Sequence, residues 1–228
     1  MITHIPEIVL NKLFLYMNKY FLIPLFALAI ISTIIACSET EDCENEQNKG
    51  SNILITYFTM PEANGTDASS GASRLMKDGV LMGSTQYIAQ VIQEATNGDI
   101  FAIKTAEQYP VSHDSLLAQA VEEQKRSARP LLATHIENIN QYDTIFLGYP
   151  TWCGDLPMPV YSFLQEYSFA GKTIIPFNSS GGSGLVNTVD TIKKLQSESI
   201  IIKAFTAPRD NISESKESIM NWLKEINF

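Results

Sequence analysis

The sequence predicts a parallel α/β sheet with helices packed on both of its faces. From residue 53 onward, short apolar runs alternate with segments of helical spacing, five of each. The short runs are continuously apolar, the pattern of strands covered on both sides. The region holds about 175 residues, too few for an eight-fold barrel.

Ile53–Thr59 reads as the first strand, a short β-rich run. A long connection from Thr59 to Ser84 follows, and within it R-L-M-K-D-G-V-L-M predicts a hairpin turning at Asp78-Gly79. Ser84–Gly98 is the first helix: Tyr87, Ile88, Val91, Ile92 and Ala95 share one face, between a Ser/Thr start and a Gly stop. Asp99–Lys104 is a strand. Ser112–Arg129 is a helix with a Ser cap and basic residues in its last turn, ended by Pro130. Then come the strand Thr144–Tyr149, the short helix Pro159–Tyr167 and the strand Lys172–Asn178. The helix Leu185–Gln196, the strand Ser199–Phe205 and the helix Ser213–Ile226 close the chain.

The 228 residues carry a formal charge of −9 and a pI of about 4.8, which argues against a nucleic-acid partner. Met17–Glu39 reads as a signal segment: Lys19, an apolar run from Phe21 to Ala36, then I-I-A-C ending in Cys37. This resembles the lipobox of bacterial lipoproteins, which implies cleavage after residue 36 and lipidation of Cys37. A transmembrane anchor is the alternative, although the run is slightly short for a span. On the lipoprotein reading the mature chain has 192 residues, with 14 basic side chains against 24 acidic ones. Residues 37–52 read as an acidic flexible tether and 53–228 as the folded domain. The expectation is an exported protein that meets the membrane only through its N-terminal lipid; a cytoplasmic location is the alternative. Cys37, Cys43 and Cys153 imply no disulfide framework and no zinc site.

In an open parallel sheet, ligands bind beyond the carboxyl ends of the strands, so the loops after the first, third and fourth strands are expected to converge. The first loop runs from Thr59 to a helix opening with Gly83-Ser84-Thr85. Free N–H groups, a positive dipole end and hydroxyls make a seat for phosphate, though a plain N-cap would use the same residues. The second is Y-P-T-W-C-G-D-L-P-M-P, Tyr149–Pro159, stiffened by Pro150, Pro157 and Pro159. Its Trp152 either stacks on a flat ligand or belongs to the core. The third is N-S-S-G-G-S-G, Asn178–Gly184, costly to order unless its backbone is used. Together they describe a site for a planar, phosphorylated cofactor, with Trp152 against the plane.

From Ile53 to the C-terminus the chain resembles flavodoxins. The residues that carry this are F-L-G-Y-P-T-W-C-G-D-L-P-M-P (Phe146–Pro159), G-K-T-I-I-P-F (Gly171–Phe177), G-G-S-G (Gly181–Gly184) and A-R-P (Ala128–Pro130). The resemblance implies a doubly wound three-layer α/β/α sandwich, a five-stranded parallel sheet in order 2-1-3-4-5, and one non-covalent FMN. By analogy, Thr59, Gly83, Ser84 and Thr85 hold its phosphate. Pro150, Thr151, Trp152, Cys153 and Gly154 line one side of the ring, and Ser180, Gly181, Gly182 and Ser183 approach it from the third loop. The chain departs from its relatives in the hairpin insert at 60–82. It also has Cys153 where many carry a second Trp, and Ser180 where many carry a His. The last strand has no long insert, as in short-chain flavodoxins.

No catalytic residue and no metal site is expected. His113 and His135 read as solvent-facing, Glu122 and Glu123 with Lys125 and Arg126 as a solvated helix face, and Cys153 as a filler. An electron carrier between redox proteins is the leading expectation. The alternatives are an FMN-dependent NAD(P)H:quinone-type oxidoreductase and a non-enzymatic binding lipoprotein on the same scaffold.

Overall fold

The computed structural model describes residues 52–61 and 74–228. The signal segment, Cys37, the tether up to residue 51 and most of the insert at 60–82 lie outside the described residues. The strands are β1 (Ile53–Tyr57), β2 (Arg74–Lys77), β3 (Val80–Gly83), β4 (Asp99–Ala102), β5 (Thr144–Pro150), β6 (Thr173–Ser180), β7 (Ile200–Ile201) and β8 (Phe205–Pro208). The helices are α1 (Ser84–Thr96), α2 (His113–Lys125), α3 (Met158–Glu166), α4 (Thr188–Leu195) and α5 (Lys216–Glu225).

The main sheet is parallel in the order β4-β1-β5-β6-β7, with β8 also paired to β6. With the hairpin left out, this is the expected 2-1-3-4-5 arrangement, its fifth place shared by two segments. Successive residues of each strand enter opposite cores. Leu54, Ile145, Leu147 and Ile174 pack with Leu116, Phe163, Leu164 and Ile192 of α2, α3 and α4. Ile55, Phe146, Ile175 and Phe177 pack with Ile88, Ile92, Ile219 and Trp222 of α1 and α5. That is why the strands read as unbroken apolar runs. The chain leaves β1 to one side for β4 and returns on the other side at β5. The switch point therefore lies at the carboxyl ends of β1 and β5.

Several boundaries differ from the sequence reading; α4, for one, starts at Thr188 and not at Leu185. The fifth strand breaks between Ile201 and Phe205 instead of running from Ser199 to Phe205. Ile202 N donates to Ile174 O, so Ile174 faces the fifth strand, and by alternation so does Pro176. Pro176 has no N–H to offer there, and the break falls opposite it. Helix α2 stops at Lys125, short of Arg129, because Ser127 adopts φ 50. Ser127 N then donates to Gln124 O and Ala128 N to Glu123 O, a Schellman closure. The last helix starts at Lys216, after a 3-10 segment over Arg209–Glu214.

The predicted hairpin is present: β2 and β3 pair antiparallel in a sheet of their own. Asp78 and Gly79 carry φ 52 and 79, the left-handed pair that a two-residue turn requires. Its second strand leads directly into α1, so the insert ends at the helix N-terminus that the sequence marked.

Candidate functional site

At the end of β1 the chain turns so that Thr59 meets the start of α1. A Cβ placed on Gly83 would lie 1.7 Å from Thr59 Oγ1, so only glycine allows this approach. Gly83 is the N-cap and supplies no capping side chain; its own N–H is met by Gln86 Oε1 at 3.3 Å. No acidic residue stands in the first turn of α1. Thr85 Oγ1 donates to Phe58 O at 2.9 Å, which ties the helix to β1. Ser84 Oγ, between them, is buried without a hydrogen-bond partner. A positive helix end with an unused hydroxyl and no internal anion is a seat for a phosphate-like group.

The second and third loops are tied at their base. Thr151 N donates to Ser179 O at 3.0 Å and Thr151 Oγ1 to Gly184 O at 3.0 Å. Asn178, wholly buried, donates from Nδ2 to Thr151 Oγ1 at 2.7 Å and to Gly184 O at 3.0 Å. This lock was not foreseen; its signal was a polar run, Asn178–Ser180, at the end of a buried strand. Pro150 closes β5 and is buried. Ser180 is also buried, and its hydroxyl accepts from Gly184 N at 2.9 Å and Gly182 N at 3.4 Å. It shapes the third loop from inside, while Gly181, Gly182 and Ser183 are exposed.

Trp152 does not present an open face. Its side chain is 2% exposed, and its ring meets Phe58 and Tyr109 edge-on, each at 5.3 Å between centroids. The cause is the turn it opens. Trp152 N donates to Asp155 O and Asp155 N to Trp152 O, at 3.0 and 2.9 Å, with Cys153 and Gly154 at φ 49 and 77. This tight turn directs Trp152 into the core and Gly154 to the surface. The core reading of Trp152 therefore prevails over the open stacking platform. Its Nε1 is nevertheless buried without a partner. Cys153 is half-buried, and burial pushes its thiol up, toward the protonated form. A cavity of about 470 Å³ adjoins the turn at Gly154 and Asp155 and continues to Asn187 and Thr191 of the next loop and helix.

The remaining titratable residues correct one expectation. Glu123 is not solvated: it is 4% exposed, accepting from Tyr109 Oη at 2.6 Å and Gln119 Nε2 at 2.9 Å. Tyr109 pins it from the loop after β4, a partner that helix periodicity cannot reveal. His135 is exposed as expected and pairs with Glu166 at 2.6 Å, which holds its pKa above the usual value; His113 is half-buried. Among the described residues, no group of His, Cys, Asp and Glu could hold a metal ion.

A family model described as flavodoxin matches residues 78–226. Among solved structures, a protein assigned as a flavoprotein from Bacteroides eggerthii is 25% identical, with a TM-score of 0.58 over 77% of this chain and 98% of its own. One from Bacteroides uniformis is 24% identical, with a TM-score of 0.58 over 77% and 99%. A flavoprotein from Lactobacillus acidophilus, in complex with FMN, is 16% identical, with a TM-score of 0.51 over 72% and 97%. No curated protein matches the chain.

Proposed function

The chain belongs to the flavodoxin family, and from that premise we propose that it binds one FMN and carries electrons between redox proteins. The observation that carries this reading is the convergence of Thr59 on Gly83 beside the unpartnered Ser84 hydroxyl, at the switch point of the sheet. These residues fit a phosphate: Ser84 Oγ has a hydrogen to donate, and the α1 N-terminus adds N–H groups and a positive dipole end. On this reading Gly154, Gly181, Gly182 and Ser183, all exposed, are the residues that approach the ring. Trp152 supports the second loop from beneath, and Asn178 with Thr151 fixes its spacing from the third. When bound, FMN supplies one- and two-electron chemistry; the chain supplies position and electrostatics.

The oxidoreductase alternative rests on one observation, the cavity of about 470 Å³ against Gly154 and Asp155, where a small substrate could lie. A flavin titration of the purified protein tests the primary reading. Binding should quench flavin fluorescence in wild type and weaken in Ser84→Ala; no binding by wild type refutes the proposal. Steady NADH or NADPH oxidation by the loaded protein would favour the oxidoreductase.

The lipid anchor is a separate proposal and rests on Met17–Glu39 alone. A chain tethered through Cys37 would place the carrier at the cell envelope, with donor and acceptor there. Palmitate labelling that is lost in Cys37→Ser supports it, and labelling that persists in that variant refutes it.

A further inference from the structure

We infer that the chain has a second, separate binding site: a cavity of about 260 Å³ beside α2 that takes a small primary ammonium ligand. Its polar side is Glu123 with Gln119 and Tyr109, and its apolar side is Ala106, Pro130 and Leu131. None of these residues belongs to the phosphate seat or to the exposed loops of the candidate flavin site.

The burial of the Glu123 carboxyl group carries the argument. The side chain is 4% exposed, and its two hydrogen-bond donors, the Tyr109 hydroxyl and the Gln119 amide, are both neutral. Burial, and then the neighbouring carboxylate, hold the Tyr109 hydroxyl in its protonated, donating form. Among the described residues no cation forms an ion pair with Glu123, and no Lys, Arg or His lines the cavity. Arg126, one turn along α2, is exposed. Its charge reaches the Tyr109 hydroxyl only through space. A buried carboxylate with no cation bonded to it is costly, and a cation that enters from solvent and bonds to it offsets that cost.

The geometry selects the kind of cation. Each carboxylate oxygen has one partner and so keeps acceptor capacity, which suits the three donors of an ammonium group. Thr105 spends its hydroxyl hydrogen on Glu107 O at 2.6 Å, so it too faces a ligand as an acceptor. Glu107, exposed at the mouth, adds negative charge to the approach. Ala106, Pro130 and Leu131 can cover a short hydrocarbon chain, and Leu131, at 79% the most exposed large apolar side chain among the described residues, stands open to make that contact. The volume is below the usual range for drug-sized ligands and holds a molecule of only several heavy atoms. A metal ion does not fit, because no set of ligating side chains gathers here among the described residues.

The test is a titration of the full-length protein, labelled with carbon-13 at its leucine methyls, with butylammonium, butanol and butyrate. The Leu131 methyls should shift saturably with butylammonium, at least about tenfold more weakly with butanol, and not with butyrate. Glu123→Gln, which keeps the side chain's shape, should weaken butylammonium at least about tenfold. If that variant does not fold, Ala106→Lys at the exposed rim supplies a competing ammonium and should weaken it as much. The proposal is overturned by the absence of a saturable shift in wild type. It is equally overturned by equal affinity for the amine and the alcohol, or by an affinity that the folded variant leaves unchanged.

Discussion

Replacing Trp152 by alanine separates a core residue from a ligand platform. The side chain is 98% buried, and it is held between the edges of Phe58 and Tyr109. Truncating a buried aromatic to alanine costs about 3–5 kcal/mol. Against that, the variant removes an indole N–H that is buried without a partner, a group whose burial costs roughly 1–3 kcal/mol. Taking the middle of each range, the net expectation is a loss of about 2 kcal/mol in the flavin-free protein. With a urea slope of about 2 kcal/mol per molar, the unfolding midpoint falls by about 1 M. Trp152→Phe keeps an aromatic ring at the site and removes the same N–H, so its stability should lie within about 1.5 kcal/mol of wild type. The assay is urea unfolding of the flavin-free protein followed by far-ultraviolet circular dichroism. A midpoint unchanged in Trp152→Ala, with flavin affinity lost, would refute the core assignment and restore Trp152 as a stacking surface.

Three further outcomes are expected. Gly83→Ala drives a methyl into Thr59 Oγ1 and should weaken FMN binding by about 10–100-fold, the loss of one or two charge-assisted hydrogen bonds; a flavin titration that matches wild type would contradict the seat. Cys153 sits at φ 49 in its turn, so Cys153→Val should destabilise by about 1–2 kcal/mol while Cys153→Asn should not; the order of their urea midpoints decides. Glu166 raises the pKa of His135, so the pair's small contribution to stability is present below the unfolded pKa of about 6.5 and is lost as pH rises through the raised folded value. Glu166→Gln should lower the His135 titration midpoint seen by proton NMR, and an unmoved midpoint would mean that the pair does not form in solution.

The sequence alone determined the alternation of strands and helices, because strands buried on both faces must be apolar throughout and helices must show one apolar face. It also marked Asp78-Gly79 as a turn and Gly83-Ser84-Thr85 as a helix opening, since turns and caps are written in local residue types. The break in the last strand had a local cause in Pro176, but its effect falls on a neighbouring strand and needed the sheet register to be seen. Only the tertiary structure decided the direction of Trp152, which follows from the left-handed turn at Cys153-Gly154 and from Phe58 and Tyr109, remote in sequence. The same holds for Glu123, which helix periodicity assigns to solvent and Tyr109 draws into the interior. The lock of Asn178 on Thr151 and Gly184 likewise joins two loops that are brought together only when β5 and β6 pair. Local chemistry determines what a segment becomes; which side chains meet depends on packing, and packing belongs to the whole chain.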